Sequence, residues 1–174
     1  KLLQRAISGA DANFYFDKVS VSFSGEEASI PSSYIEDATV RLSVYRRLSL
    51  INSVKQLRSF ESEIYDRFGL APLEFSSMLA IQEIKILCYD VFVLSILCGY
   101  KKTSIVFLPS QLLSNSVLFI SFVDSFFKSR GVIYEFKKLP NERLMLSFGW
   151  ESKNKDILVF IKDFLNKFRN DFKN

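Results

Sequence analysis

The sequence predicts an α+β fold, in which an N-terminal segment of three helices precedes a hairpin, a helix, a second hairpin and a terminal helix, with a small antiparallel sheet. Two observations predict it. In the first half, apolar residues recur every three or four positions, as on the buried face of a helix. In the second half, short apolar runs lie on either side of Gly- or Pro-containing breaks, as in hairpins. Strands and helices do not alternate regularly, which argues against a parallel sheet with crossover helices.

The composition favours one folded domain. The chain has 174 residues, of which 48% are hydrophobic and 15% aromatic, including 18 Phe. A domain of this length buries roughly 70% of the surface that its unfolded chain exposes, so it needs neither disulfides nor a metal. We assign residues 1–29 to a helix tail and a strand, and residues 30–174 to the main body of a single domain. Because residues 1–5 have the pattern of a helix interior and lack an initiator Met, we expect a segment of a longer protein.

The first predicted elements are a helix tail, a strand and a capped helix. Residues 1–8 are helical by pattern, and this helix ends near Gly9. Residues 18–23 alternate polar and apolar side chains, which predicts a half-buried strand. Asp37 is a suitable N-cap for a helix over residues 38–51, because its carboxylate can accept from the free N–H groups of the first turn.

Two further helices follow and are joined by a tight corner. Ser53 and Gln56 have the spacing of a capping box, which predicts the start of the second helix. Gly69 is a natural terminator of that helix, and Pro72 suits the first turn of a third helix that ends near Tyr89. Connections this short predict antiparallel neighbours. The apolar stripe of the second helix consists of Leu57, Phe60, Ile64 and Phe68.

The second half predicts two hairpins, each followed by a helix. The helix between the hairpins is apolar around most of its circumference, so we expect it to be covered on more than one side; a bare side would mark an interface. The terminal helix carries an apolar stripe opposite a row of lysines, which predicts a core helix with a solvated face. The elements are strands 92–97 and 103–108, helix 109–129, strands 132–137 and 143–148, and a helix from residue 153.

Several function classes find no support in the composition. The net charge of +4 is smaller than that of a dedicated nucleic-acid binder. The chain has no His, the usual general base, and its six Gly form no phosphate-binding loop. A zinc site would need four Cys or His ligands, and only two cysteines occur. We therefore expect no catalytic residue, no metal, no cofactor and no enzymatic activity in this chain.

The cysteines and the apolar runs favour a cytoplasmic protein. Cys88 and Cys98 lie within apolar stretches, so we expect buried, reduced thiols rather than a disulfide. The longest apolar runs, 91–98 and 117–123, are far shorter than the roughly 20 residues that span a bilayer. No signal peptide is recognisable in the sequence. We expect no membrane partner.

Two segments are more specific than their helical patterns require. The first is Ile-Pro-Ser-Ser-Tyr-Ile-Glu-Asp at 30–37, continued by Arg-Leu-Ser-Val-Tyr-Arg-Arg-Leu at 41–48. The second is Glu-Ile-Tyr-Asp-Arg-Phe-Gly-Leu-Ala-Pro at 63–72. Together they resemble the C-terminal domain of bacterial transcription-repair coupling factors; beyond residue 72 only the order of elements agrees. The residues that carry the resemblance, besides the charged ones at 63–67, are Pro31, Tyr34, Ile35, Arg41, Tyr45, Arg46, Phe68, Gly69 and Pro72.

The resemblance implies a large parent protein in the bacterial cytoplasm. Such a parent has a double-stranded DNA translocase motor that uses ATP and magnesium, a module that binds RNA polymerase, and a module similar to the B subunit of the excision nuclease. It displaces stalled polymerase from damaged DNA and recruits the nuclease's A subunit. In the family, the terminal domain folds back on the nuclease-B-like module and masks the recruitment surface. The resemblance therefore implies an autoinhibitory docking domain.

Three charged residues at the corner are the candidate docking site. Glu63 and Asp66 are three positions apart on one helix face, and Glu63 can pair with Arg67 four positions on. Such a patch suits docking on a basic surface, with orientation set by charge complementarity. Purely structural roles remain open. Glu63–Arg67 can be an ordinary surface pair, Asp66 can bond backbone at the corner, and Arg67 can brace residues 34–35.

An alternative function is a nucleic-acid-binding appendage of the same motor. Arg41, Arg46 and Arg47 form a local basic cluster, and Tyr45 lies among them, as on surfaces that bind single strands. Two ordinary interpretations compete with it. The cluster can be a solvated helix face, or its cations can pair with the acids of the neighbouring helix.

Overall fold

The structure, a computed structural model, describes residues 19–24, 28–108, 116–150 and 154–173. The chain divides into two compact units, one within residues 25–86 and the other within residues 1–24 and 87–174. The helix tail predicted at residues 1–8 lies outside the described residues. Within the described ranges, every helix is too short or too polar to cross a membrane.

The first unit contains the first two predicted helices and most of the third. They are α1 (Ala38–Ser49), α2 (Val54–Phe68) and α3 (Leu73–Asp90). The predicted caps are confirmed. Asp37 Oδ1 accepts from the backbone N–H groups of Thr39 (2.7 Å) and Val40 (2.9 Å). Ser53 Oγ accepts from the N–H of Gln56 at 3.3 Å.

The core of this unit is built from the apolar stripes of the helices. Leu57, Phe60 and Ile64 of α2 are all at most 4% exposed, as the three- and four-residue spacing predicts. Phe68, the last member of the stripe, is half-buried at the helix end. One ion pair lies at the edge of the core, where Arg58 Nη2 donates to Glu83 Oε1 at 2.7 Å. The remaining core residues of the unit include Ile30, Ile35, Val44, Leu48, Phe75 and Leu79.

The second unit is built on a mixed five-stranded sheet of order β1-β2-β3-β5-β4. Its antiparallel part, β2 to β5, confirms the two predicted hairpin partners and the α+β class. In addition, β1 pairs in parallel with β2, with Ser20 opposite Ser95. The strands are β1 (Ser20–Phe23), β2 (Val93–Cys98), β3 (Lys102–Phe107), β4 (Tyr134–Lys138) and β5 (Leu144–Gly149).

Two helices bury a phenylalanine cluster against this sheet. They are α4 (Ser116–Lys128) and α5 (Asn154–Lys173). Phe127 of α4 is fully buried, and its ring lies 4.9 Å from that of Phe148 on β5 and 5.9 Å from that of Phe164 on α5. The prediction that α4 is covered on more than one side is only partly right, because Val117 is 71% exposed. The stripe of α5, namely Ile157, Ile161, Phe164 and Phe168, is buried as predicted.

Candidate functional site

The corner between α2 and α3 is fixed by its backbone. Gly69 has φ of +78°, a conformation that favours glycine, and its N–H donates to the carbonyl of Tyr65 at 2.8 Å. The hydroxyl of Tyr34 donates to the carbonyl of Gly69 at 2.9 Å. The carbonyl of Pro72 accepts from the N–H of Ser76 at 2.9 Å, which starts α3. The predicted end of α2 at Gly69 and the predicted start of α3 at Pro72 are confirmed. Three hydrogen bonds, from α2, from Tyr34 and from α3, fix the backbone of the corner.

Glu63 is held between two arginines of its own chain. Arg47 of α1 donates from Nη1 to Glu63 Oε1 at 2.7 Å and from Nη2 to Oε2. Arg67 donates to Glu63 Oε1 at 3.4 Å, so the predicted pair four residues apart is present. The hydrogen bonds from Arg47, and then those from Arg67, lower the pKa of the Glu63 carboxyl. The interpretation in which the basic cluster pairs with acids of the neighbouring helix is therefore confirmed for Arg47.

Asp66 is in a different situation from Glu63. Its side chain is exposed, and it makes no hydrogen bond or ion pair with the part of the chain that the structure describes. It does not bond the backbone at the corner. Arg67 lies with its guanidinium 4.9 Å from the centre of the Phe68 ring, in addition to its contact with Glu63. Asp66 is therefore the carboxylate that is open to a partner.

The extended segment before α1 is held by residues of the family motif. The carbonyl of Pro31 accepts from the N–H groups of Tyr34 (3.1 Å) and Ile35 (3.2 Å), which makes a tight turn. Arg41 Nη1 donates to the carbonyls of Ile35 (2.6 Å) and Glu36 (2.7 Å). The guanidinium that binds this segment is that of Arg41, at the carbonyls of residues 35 and 36, rather than that of Arg67 at residues 34–35.

Two members of the predicted aromatic-basic surface have structural roles. The hydroxyl of Tyr45 accepts from the N–H of Ile30 at 2.7 Å, which ties the extended segment to α1. Arg41 is bound to backbone carbonyls in the same region. Arg46 is exposed and has no ion pair within the described ranges. The observations therefore favour a structural explanation for Arg41 and Tyr45.

An apolar cleft of about 320 Å³ opens beside the corner. Its walls come from three separate segments, so no local sequence pattern predicts it. Its floor includes Ile64 and Phe75, which are 2% and 0% exposed. At its rim are Tyr65 and Leu70, which are 58% and 82% exposed. In the sequence, Tyr65 and Leu70 are only two apolar residues next to charged ones, and the fold brings them to one cleft.

The fold and this corner define a small α+β domain with a helix junction at which the exposed Asp66 makes no ion pair within the described residues. A solved structure has the same fold. The crystal structure of a C-terminal domain of transcription-repair coupling factor superposes with a TM-score of 0.69, covering 88% of this chain and 95% of that one at 18% identity.

The family follows from the sequence comparisons. The family model of the TRCF domain matches residues 25–117. The transcription-repair-coupling factor of Rickettsia conorii is 39% identical over 67 residues, and that of Haemophilus influenzae is 29% identical over 138 residues, or 79% of this chain. The chain belongs to the TRCF domain family, which confirms the predicted resemblance. The matched segments span only 6% and 11% of the lengths of these two relatives.

Proposed function

We propose that this chain is the regulatory docking domain of a transcription-repair coupling factor. In this proposal it folds back on the nuclease-B-like module of the same polypeptide and masks the surface that recruits the excision nuclease A subunit. The parent is an ATP-dependent translocase on double-stranded DNA that displaces stalled RNA polymerase in the bacterial cytoplasm. ATP and magnesium bind to its motor rather than to this domain. Membership of the TRCF domain family supports the identity of the parent protein, and the charged corner between α2 and α3 supports the docking role.

The observation that carries the docking role is the exposed Asp66, which makes no ion pair with the described residues and lies on a hydrogen-bonded corner. A partner cation can pair with Asp66 without first breaking an internal ion pair. Glu63 differs, because Arg47 and Arg67 already neutralise it. We therefore assign the electrostatic attraction to Asp66. Glu63 fixes α2 against α1 through its ion pair with Arg47. Arg67 pairs with Glu63 and lies against the ring of Phe68.

The test is the affinity of the parent protein for the excision nuclease A subunit. Replacing Glu63→Ala together with Asp66→Ala loosens the fold-back, so the affinity for the A subunit should rise. Asp66→Ala alone should give most of that rise. Glu36→Ala is the matched control, because Glu36 is an exposed acid of the same unit outside the corner. An affinity that stays the same in the double variant would contradict the proposal.

A further inference from the structure

Strand β4 forms one edge of the five-stranded sheet. It pairs with β5 on one side, and the part of the chain that the structure describes places no strand on its other side. Leu139, just after β4, donates its N–H to the carbonyl of Arg143 at 2.8 Å and so continues the ladder with β5. Because neighbouring residues of a strand bond in opposite directions, the N–H and C=O groups of Tyr134, Phe136 and Lys138 point away from β5. A further strand can pair with this edge.

The side chains of β4 alternate between a packed face and an open face of the sheet. Phe136 packs on α4, with its ring 5.8 Å from that of Phe119. Glu135 and Lys137 point to the opposite face, and both are exposed. Glu135 accepts from Lys102 Nζ at 2.5 Å, but its side chain is still 65% exposed, so its carboxylate can meet a second cation. The open face of this edge therefore carries one acid and one base, two residues apart.

The sequence of this edge is complementary to itself. The alternate residues 133, 135, 137 and 139 are Ile, Glu, Lys and Leu. If two copies pair antiparallel with Phe136 opposite Phe136, Glu135 of each copy lies opposite Lys137 of the other, and Ile133 lies opposite Leu139. The same register makes hydrogen-bonded pairs of the backbone groups that point outward. Ile133 is 88% exposed, so this pairing removes apolar surface from water.

The two charges select this register. Lysines on an edge strand ordinarily hinder pairing with a further strand. A shift by two residues in either direction would place Glu135 opposite Glu135 or Lys137 opposite Lys137, and like charges directly opposite are destabilising. Of these three registers, the one centred on Phe136 alone sets each acid against a base. The edge is therefore matched to a second copy of itself.

We propose that β4 is a self-association edge, on which a second copy of this chain pairs antiparallel and joins the two sheets about a two-fold axis at Phe136. Main-chain hydrogen bonds hold the two strands together, and the two Glu135–Lys137 contacts set the register. So short an edge buries little area, so the association is weak and depends on protein concentration. The inference goes beyond the docking function, since β4 belongs to the second unit and the corner to the first.

The test is sedimentation velocity of the chain over a range of protein concentrations. The wild-type chain should form a dimer as the concentration rises, and added salt should weaken it. Glu135→Lys and Lys137→Glu should each weaken the dimer roughly ten-fold, because like charges then lie opposite one another at both symmetric positions. An equimolar mixture of these two variants should dimerise again, since every charge at the edge then faces its opposite. Lys55→Glu is the matched control for net charge, because Lys55 is an exposed lysine of the first unit.

A proline variant tests the main-chain pairing separately. Proline has no N–H to donate, and the N–H of Lys138 points away from β5. Lys138→Pro should therefore leave the ladder between β4 and β5 intact and abolish the dimer. Circular dichroism and urea midpoints establish that each variant is folded.

Each failure has a distinct meaning. A wild-type chain that stays monomeric up to its solubility limit overturns the inference. A dimer that both charge reversals leave unchanged lies on another surface and overturns it as well. If the mixed variants stay monomeric, the register is wrong, and if Lys138→Pro dimerises like the wild type, the strands do not pair through their main chains. None of these results depends on the corner between α2 and α3, so the docking function is tested independently.

Discussion

Arg47 of α1 and Glu63 of α2 form a two-pronged ion pair, in which both guanidinium ends donate to the two carboxylate oxygens. This geometry is more specific than a single surface contact, because the planar fork fixes the relative positions of both side chains. Arg67 donates to the same carboxylate from one turn further along α2. Glu63 is thus a structural acid, and the corner presents Asp66 to its surroundings.

The Arg47–Glu63 pair should contribute roughly 0.3–1 kcal/mol of stability, because its geometry is bidentate but both side chains are about 40% exposed and solvent screens them. A double-mutant cycle with Arg47→Ala and Glu63→Ala, followed by urea unfolding, measures this coupling. Asp66→Ala serves as the control and should change the free energy of unfolding by less than about 0.5 kcal/mol. A coupling near zero would show that the pair does not hold α1 against α2.

The pKa of the Glu63 carboxyl should lie below the ordinary value of about 4.3, because the bonds from Arg47 and Arg67 favour its charged form. A lowered pKa in the folded state contributes stability above the unfolded-state pKa. That contribution is lost as the pH falls through the lower, folded-state value. A carbon-13 NMR titration of the carboxyl measures the pKa directly. In Arg47→Ala the pKa should move up; the same pKa in both proteins would contradict the assignment.

Gly69 and the hydroxyl of Tyr34 should both contribute to the free energy of unfolding through the corner between α2 and α3. Gly69→Ala places a side chain on a residue with φ of +78° and ψ of −158°, which should cost about 1–3 kcal/mol through backbone strain, since no atom lies within 4 Å of the added Cβ. Tyr34→Phe removes the hydrogen bond to the Gly69 carbonyl and should cost about 1 kcal/mol. Urea unfolding measures both. Gly149→Ala is the control, with space for a Cβ and no positive φ; equal effects of both glycine variants would refute the strain explanation.

The two cysteines should be unreactive in the folded protein. Cys88 and Cys98 are buried free thiols, as predicted, and burial raises the pKa of Cys98 to about 11 and that of Cys88 well above its usual range. The thiolate is the reactive form, so little of it exists at neutral pH. Labelling by a thiol reagent at pH 8 should therefore follow the urea unfolding curve. Fast labelling without urea would show that this part of the fold opens easily.

Local features of the fold could be predicted from the sequence, because they depend on neighbouring residues. The cap at Asp37, the end of α2 at Gly69 and the buried stripe of α5 all follow from spacing and side-chain chemistry within a few residues. The pairing of β1 with β2 could not be predicted in this way. Ser20 and Ser95 are 75 positions apart in the sequence, and no local pattern determines which strands become neighbours.

The sequence predicts which residues belong to the candidate site, but it does not predict all of the contacts between them. The spacing of Glu63 and Arg67 predicts their pair, whereas the stronger contact of Glu63 with Arg47 depends on how α1 packs against α2. In the same way, the sequence around Arg41 and Tyr45 predicts a binding surface. In the structure, the polar groups of both side chains form hydrogen bonds with the extended segment at residues 30–36. The cleft needs Tyr34, the end of α2 and the start of α3 together, so it exists only in the folded unit.

The most direct test of the account is hydrogen–deuterium exchange at the corner of the full-length parent. The amides of Leu70 and Ala71 donate no hydrogen bond within the described chain, so they should exchange fast in the isolated domain. If the corner docks on another module, the same amides should exchange slowly in the resting parent and become fast again once DNA and ATP engage the motor. Equally fast exchange in the isolated domain and in the resting parent would contradict the docking role.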